Sequence, residues 1–169
     1  MNALVYRLWQ VRQQLGFVPP LTSQERLEAA RWLPASALPL FQSMSNADQQ
    51  HALRVCRGLQ ARGCSDEDML AAALLHDVGK ASGRVSFWTR PVIVLGKRLA
   101  PRLLARVAVY PQAEQPRWRR SLGYAWWHAD IGADLAAEAG LSQRAVLYIR
   151  THHQEHGPAA ELHLVDEAS

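Results

Sequence analysis

Apolar residues recur along the chain at three- and four-residue spacing, broken by Gly and Pro, and no stretch shows the sustained apolar–polar alternation of a half-buried strand. The pattern predicts an all-α protein, a single compact bundle of about seven to nine helices over residues 1–169, with residues 1–45 as an N-terminal helical extension. Residues 1–15 read as a helix stopped by Gly16 and the Pro19-Pro20 pair, and Ser23 is placed to cap a second one reaching about Leu33. Pro34 and Pro39 bracket a turn or short helix. From Asn46, a capping residue type, a helix runs to Gly63, which suits the left-handed position after a helix end. Ser65 and Asp68 have the spacing of a capping box ahead of EDMLAAALLHDVGK, and Gly79 is read as ending that helix. After a proline-interrupted segment at 91–109, further helices are expected at about 126–139, 142–154 and 159–168.

Composition leaves that picture intact. With 49% hydrophobic and 20% charged residues the chain is ordinary globular material, long enough for one domain with a sizeable core. No run approaches the roughly 18 apolar residues of a membrane span. Arginines interrupt the N-terminal segment MNALVYRLWQVRQQLG, so a signal peptide is not expected and a cytoplasmic location is. Cys56 and Cys64 match no zinc-finger or redox spacing and are expected as two reduced structural thiols.

Charge adds more. The chain carries +4, with a pI near 9.5, which points to an anionic partner such as a nucleotide, nucleic acid or acidic membrane surface. The excess is local: from Gly83 to Pro111 there are six cations, Arg84, Arg90, Lys97, Arg98, Arg102 and Arg106, and no acid, leaving about −2 for the rest. Residues 83–120 are therefore read as a basic helical lobe. Arg98, Arg102 and Arg106 fall at four-residue steps beside a parallel apolar row of Leu95, Leu99, Leu103 and Val107, although Pro101 breaks the regularity. Three readings stay open: arginines lining a phosphate entrance, a basic helix at 91–109 making peripheral contact with anionic lipid, and the solvated face of a core helix. Trp88, Trp118, Trp126 and Trp127 around the lobe are expected to fill core rather than stack on bases, so there is no strong case for nucleic acid.

The chemistry-bearing residues are scattered in sequence but share a character. His76 and Asp77 close MLAAALLHD, a segment so rich in Ala and Leu that neighbours must bury it on several faces. A His-Asp dipeptide alone is common and often no more than a hydrogen-bonded pair. His51, on the face that also carries Val55 and Leu59, points to the core; His128 follows Trp126-Trp127, with Gly132 one turn on to allow close packing; His152 and His153 end AVLYIRTHH; and Asp166 lies near the apolar side of ELHLVDEA. Imidazoles and carboxylates on the inner sides of four or five helices can converge on a metal, and Lys80 returns a cation to the face of Asp77. His156 and His163 are read as a loop and a surface residue, and Asp130 and Asp134 as a solvated face. Glu155 is kept as a minor proton donor or orienting group.

The order His51, then His76-Asp77, then Asp166 resembles the H…HD…D motif of the HD-domain superfamily, and HDVGK matches its common HDxGK form, over roughly residues 46–168. HADIGADLA with His128 and IRTHH with His152 resemble elements of the two-metal subgroups, including the HD-GYP proteins and the HD-type symmetric diadenosine tetraphosphate hydrolases. The resemblance implies a helical bundle of the HD-domain type in which His51, His76 and Asp166 hold one metal. Asp77 would bind that metal and bridge to a second held by His128 and His152, with His153 a further ligand or an outer partner. One or two divalent ions (Fe, Mn, Zn or Ni) would then activate water toward a phosphoester or phosphoanhydride, with Asp77 and Lys80 as the catalytic pair and a small, nucleotide-like phosphorylated molecule as substrate. A catalytically silent module binding metal or nucleotide in signalling or membrane-associated regulation is the alternative. The sequence departs from the subgroups in two places. HGPAAEL follows HHQE where the HD-GYP proteins have Gly-Tyr-Pro, which removes support for cyclic di-GMP hydrolysis, and only three residues follow Asp166, so a frayed helix would weaken that ligand.

Overall fold

A computed structural model describes residues 18–81 and 89–169. The helix expected at 1–15, Arg84 and Trp88, and the side chains of Arg90 and Lys97 lie outside the described residues. Secondary structure among the described residues is helical throughout. In chain order it runs α1 Ser23–Ala30, a 3-10 turn Ala35–Ala37, α2 Leu38–Ser43, α3 Asn46–Ala61, α4 Glu67–Leu75, a second 3-10 turn Val78–Lys80, α5 Thr89–Leu99, α6 Pro101–Val107, α7 Arg117–Glu138, α8 Gln143–Thr151 and α9 Ala160–Glu167. The all-α expectation holds.

Four of the described helices start on a capping side chain, and three of those caps sit one residue away from the expected one. Thr22, not Ser23, caps α1 and forms the full reciprocal box with Glu25. Ser45, not Asn46, accepts from the Asp48 backbone N–H at 3.2 Å. Asn46 instead donates its amide to the Val18 carbonyl, holding the preceding strand of chain. Ahead of α4 the cap is Asp66, accepting from Asp68 N–H, and not Ser65. Ser142 caps α8 as expected, and Gly63 takes the left-handed conformation expected of it, φ 87°.

The main core centres on α4, whose residues from Met69 to Leu75 are all buried, the reason this helix has no polar stripe. It lies between α3 and α8, while α7 packs on α8 and on the second 3-10 turn, and α9 lies on α3. Gly79 does not end α4, which stops at Leu75; it lies inside the 3-10 turn, where a Cβ would fall 2.1 Å from the His128 carbonyl oxygen. From α7, Gly132 faces the same turn, and its missing Cβ would sit 3.3 Å from Gly79 N. The two glycines let the turn and the helix meet backbone to backbone.

A second, smaller core of Ile93, Leu104, Ala108, Leu122 and Ala125, with Val107 and Trp126 packed against it, joins α5 and α6 to the first half of α7. Thr89 and Ser121 hydroxyls, 2.7 Å apart and buried, tie α5 to α7. Of the apolar row Leu95, Leu99, Leu103 and Val107, the three leucines are exposed and Val107 packs on this core, in which Ile93 and Leu104 are buried. The chain breaks at Ala100 (φ −146°, ψ 58°) before Pro101, so the row belongs to two short helices and not to one. Trp118 is also exposed, contrary to the core-filling expectation, whereas Trp127 is half-buried and donates its indole N–H to the Ala108 carbonyl at 2.8 Å. Both cysteines are free, and burial pushes the Cys56 thiol up to about 12.

The close approach of turn and helix makes a direct test. Gly79→Ala, forced against a backbone oxygen, should cost at least about 3 kcal/mol, the upper end of ordinary overpacking. Gly132→Ala, in tighter than usual but not impossible contact, should cost less; urea denaturation of the two variants measures both, and equal midpoints would refute the packing described.

Candidate metal centre

Helix ends and helix middles bring the ionisable residues to one place. His51 lies on the second turn of α3; His76 is the C-cap of α4, with Asp77 immediately after it at φ −101°, ψ 4°. His128 sits midway along α7, which begins at Arg117 and not near Trp126 as the sequence suggested. His152 is the C-cap of α8, followed by His153, and Asp166 is in the last turn of α9. That turn is closed by Ser169, whose hydroxyl donates to the Val165 carbonyl at 2.6 Å and whose N–H donates to that of Asp166, so the expected fraying is not seen.

Three of the imidazoles share one local arrangement. Nδ1 of His76 lies 2.9 Å from the Ala73 carbonyl, Nδ1 of His128 lies 2.9 Å from that of Ala125, and Nδ1 of His152 lies 2.7 Å from that of Ile149. A carbonyl only accepts, so in each ring Nδ1 carries the proton and Nε2 is turned away from its own helix. Nε2 of His76 and Nε2 of His152 are buried and make no hydrogen bond.

Those Nε2 atoms face carboxylates and one another. Asp166 Oδ1 is 2.8 Å from His51 Nε2 and 3.5 Å from His76 Nε2. Asp77 Oδ1 stands between two groups of rings, 3.8 Å from His76 Nε2 and 3.6 Å from His128 Nε2, with Lys80 Nζ at 2.7 Å. His153 Nε2 is 2.8 Å from His128 Nε2, and the ring centroids of His152 and His153 are 3.9 Å apart. The donor atoms of His51, His76 and Asp77 all lie within 4.8 Å of one another, as do those of His128, His152 and His153. Ligand atoms held about 2.0–2.2 Å from one ion are about 3–3.5 Å apart, so both groups are at the scale of a coordination sphere.

Electrostatics agree with the geometry. Burial works against ionised Asp77, but Lys80 and the surrounding imidazoles outweigh it and hold the carboxyl well below the usual range. Burial likewise opposes ionisation of Asp166, and its hydrogen bond to His51 together with the nearby His76 ring overcomes it, again holding the group low. His76 is raised: burial disfavours its charge, yet the two carboxylates more than compensate. His128 and His152 are pushed down to about 2 and about 3, chiefly by burial, then by Lys80 for His128 and by His76 for His152. The centre thus keeps two anionic carboxylates beside His128 and His152, which stay neutral with unspent lone pairs. The carboxylates favour the charged form of His76, as they would favour a cation in the site. The C-terminal ends of α4 and α8, both pointing here, add the negative end of their peptide dipoles. Buried nitrogen lone pairs without donors, beside carboxylates, fit a divalent cation, and this His/Asp cluster can hold one.

The structure thus brings together His51, His76, Asp77, Lys80, His128, His152 and Asp166, and it draws His153 into the second group, where the sequence left it a ligand or an outer partner. It does not bring in Arg98, Arg102 and Arg106, which are exposed on α5 and α6; the cation beside Asp77 is Lys80. Asp130 and Asp134 pair with Arg150 on the outside of α7. His163, expected at the surface, is half-buried, and with Arg62, Glu155 and Glu161 it lines an open groove of about 620 Å³ one turn of α9 before Asp166. What sequence reasoning missed is backbone: the carbonyls of Ala73, Ala125 and Ile149, each three residues before a histidine, decide which ring nitrogen is presented.

No family model, curated protein or solved structure matches the chain. The likeness to the HD-domain superfamily therefore rests on the residues and their spacing.

The depressed imidazoles give the metal-free protein a definite acid response. An unfolded chain protonates these histidines near 6.5, the folded one only near 2 and 3, so between those values the unfolded state binds more protons and stability falls as pH falls. His76 opposes this, its raised value adding stability below 6.5 that is lost as pH rises through its folded value. The Asp77 and Asp166 contributions are present above 3.8 and lost below it. With two imidazoles against one, the urea midpoint of chelator-treated protein should drop between about pH 7 and about pH 5, and His152→Gln should flatten the drop. A midpoint that rises on acidification would contradict the burial described.

Proposed function

We propose that this protein is a divalent-metal-dependent phosphohydrolase of the HD-domain type, cleaving a phosphoester or phosphoanhydride in a small, nucleotide-like molecule. The observation that carries the reading is the position of Asp77 Oδ1 between two groups of imidazole nitrogens, with Lys80 Nζ at 2.7 Å. On this reading His51, His76 and Asp166 hold one ion, His128, His152 and His153 hold a second, and Asp77 serves both. Imidazole and carboxylate donors suit Fe, Mn, Zn or Ni, where calcium would want an all-oxygen cage. Bound there, such ions supply a water-derived nucleophile at neutral pH and neutralise charge on phosphoryl oxygens.

The chain's own residues do the rest. Burial of His76 and His152 keeps water from their nitrogens, and the Nδ1–H bonds to carbonyls fix ring orientation before substrate arrives. His51, Lys80, His153 and, in part, Asp166 are the solvent-accessible members, so substrate approaches from their side. There the Lys80 ammonium meets a phosphoryl oxygen and stabilises charge that grows as the bond to the leaving group breaks.

Protein purified without oxygen, with its metals quantified, should hydrolyse at least one member of a panel of nucleotides, dinucleoside polyphosphates and an aryl phosphate. Asp77→Ala should lose more than about 100-fold, since even outer partners of metal ligands cost 10–100-fold. Lys80→Ala should lose on the order of 100-fold with metal retained. Wild type that holds metal yet matches Asp77→Ala on every substrate would leave a binding module and no enzyme. Failure to take up metal after reconstitution would remove the centre itself.

A further inference from the structure

Five of the eight large hydrophobic side chains exposed among the described residues, Leu95, Leu99, Leu103, Tyr110 and Trp118, belong to the segment formed by α5, α6 and the start of α7. The leucines are 59%, 70% and 63% accessible and Trp118 is 63% accessible, too much open apolar surface for side chains that merely edge a core. They are interleaved with exposed Arg98, Arg102, Arg106 and Arg117. No acid occurs between Gly83 and Pro111. The inner side of the same hairpin is satisfied separately by Ile93, Leu104 and Ala108 on the first half of α7, with the absent Cβ of Gly96 allowing Leu104 to within 3.0 Å. On α5 and α6 the outer side is thus a second apolar face whose exposed charges are all positive, while Tyr110, near Asp134, and Trp118, beyond the exposed Glu114, lie at its edge.

We propose that this face docks the protein on an anionic lipid bilayer. A protein partner would meet leucines as well, but a face with arginines throughout and no acid is complementary to a surface that is uniformly negative and wide, which a leaflet of acidic lipid is. The parts match interfacial binding one for one: leucines for the acyl boundary, a tryptophan for the headgroup level, and arginines that reach phosphates while their stems lie along apolar surface. Depth is limited to the interface, because no helix among the described residues is long and apolar enough to cross a membrane. The break at Ala100–Pro101 suits this mode, since it sets two short helices against the surface with no need for one long helix. Such docking is independent of any activity at the metal centre.

The test is sedimentation of the full chain with vesicles of phosphatidylcholine alone and of an equimolar mixture of phosphatidylcholine and phosphatidylglycerol. Wild type should pellet with the mixed vesicles only, and added salt should release part of it. Arg98→Gln with Arg102→Gln and Arg106→Gln should lower the partition on the order of 100-fold, at about fivefold for each cation near the surface. Leu95→Ser with Leu99→Ser and Leu103→Ser should abolish the salt-resistant fraction. All six substitutions are at exposed positions, and circular dichroism of both variants should match wild type. The proposal is overturned if wild type stays in solution with the mixed vesicles, or if both triple variants pellet as wild type does. It is equally overturned if light scattering shows a wild-type dimer that the leucine variant turns into a monomer while vesicle binding is absent, since the face would then be a contact between copies.

Discussion

His76 and His152 are completely buried, and each commits its Nδ1–H to a carbonyl of its own helix, so that each Nε2 is left in the interior without a hydrogen bond. A buried polar atom without a partner costs about 1–3 kcal/mol. Two of them, with Asp77 and Asp166 kept ionised nearby, form an arrangement that an ordinary core would not retain. Cations held by the two groups of ligands would satisfy all of these groups. Much of the fold serves that arrangement: α4 and α8 end at the centre, α7 is held against the Val78–Lys80 turn by the Gly79 and Gly132 backbones, and α9 closes over α3 to deliver Asp166 to His51.

Asp77 is the residue on which the two halves depend. It follows the helix in which His76 is the cap, so its carboxylate leaves α4 at the point where α7 crosses, and it meets His128 from one side and His76 from the other. Lys80 one short turn later holds its charge in place. The same three residues that close α4 therefore link both imidazole groups and provide the only cation the site's ion pairs include among the described residues.

Much of this was legible in the sequence, for physical reasons. A helix as apolar as MLAAALL has to be buried, and an ionisable pair at its end then needs a partner. Helical period placed His51 and Asp166 on inner faces, and the capping chemistry ahead of α1, α3 and α4 was recognisable even though the capping residue was a neighbour of the expected one. Other features were hidden. The first turns of α7, RWRRSLGY, carry no clear apolar stripe because they cover only a small secondary core, so the helix seemed to begin near Trp126. Spacing left the facing of the leucine row open, because Pro101 divides it between α5 and α6 and no local signal says which side of each short helix packs. The role of Gly79 was misplaced for a related reason: its missing side chain answers to a backbone from fifty residues later in the chain, and no local signal reports that.

Anomalous diffraction from crystals grown with Mn(II) would test the central claim most directly, because it locates ions without reference to activity. The account predicts density within about 2.0–2.2 Å of His76 Nε2 or of His152 Nε2, the nitrogens left open by the bonds to Ala73 and Ile149, with Asp77 among the ligands. A fully occupied ion elsewhere, or a centre in which these rings have turned to present Nδ1, would contradict it.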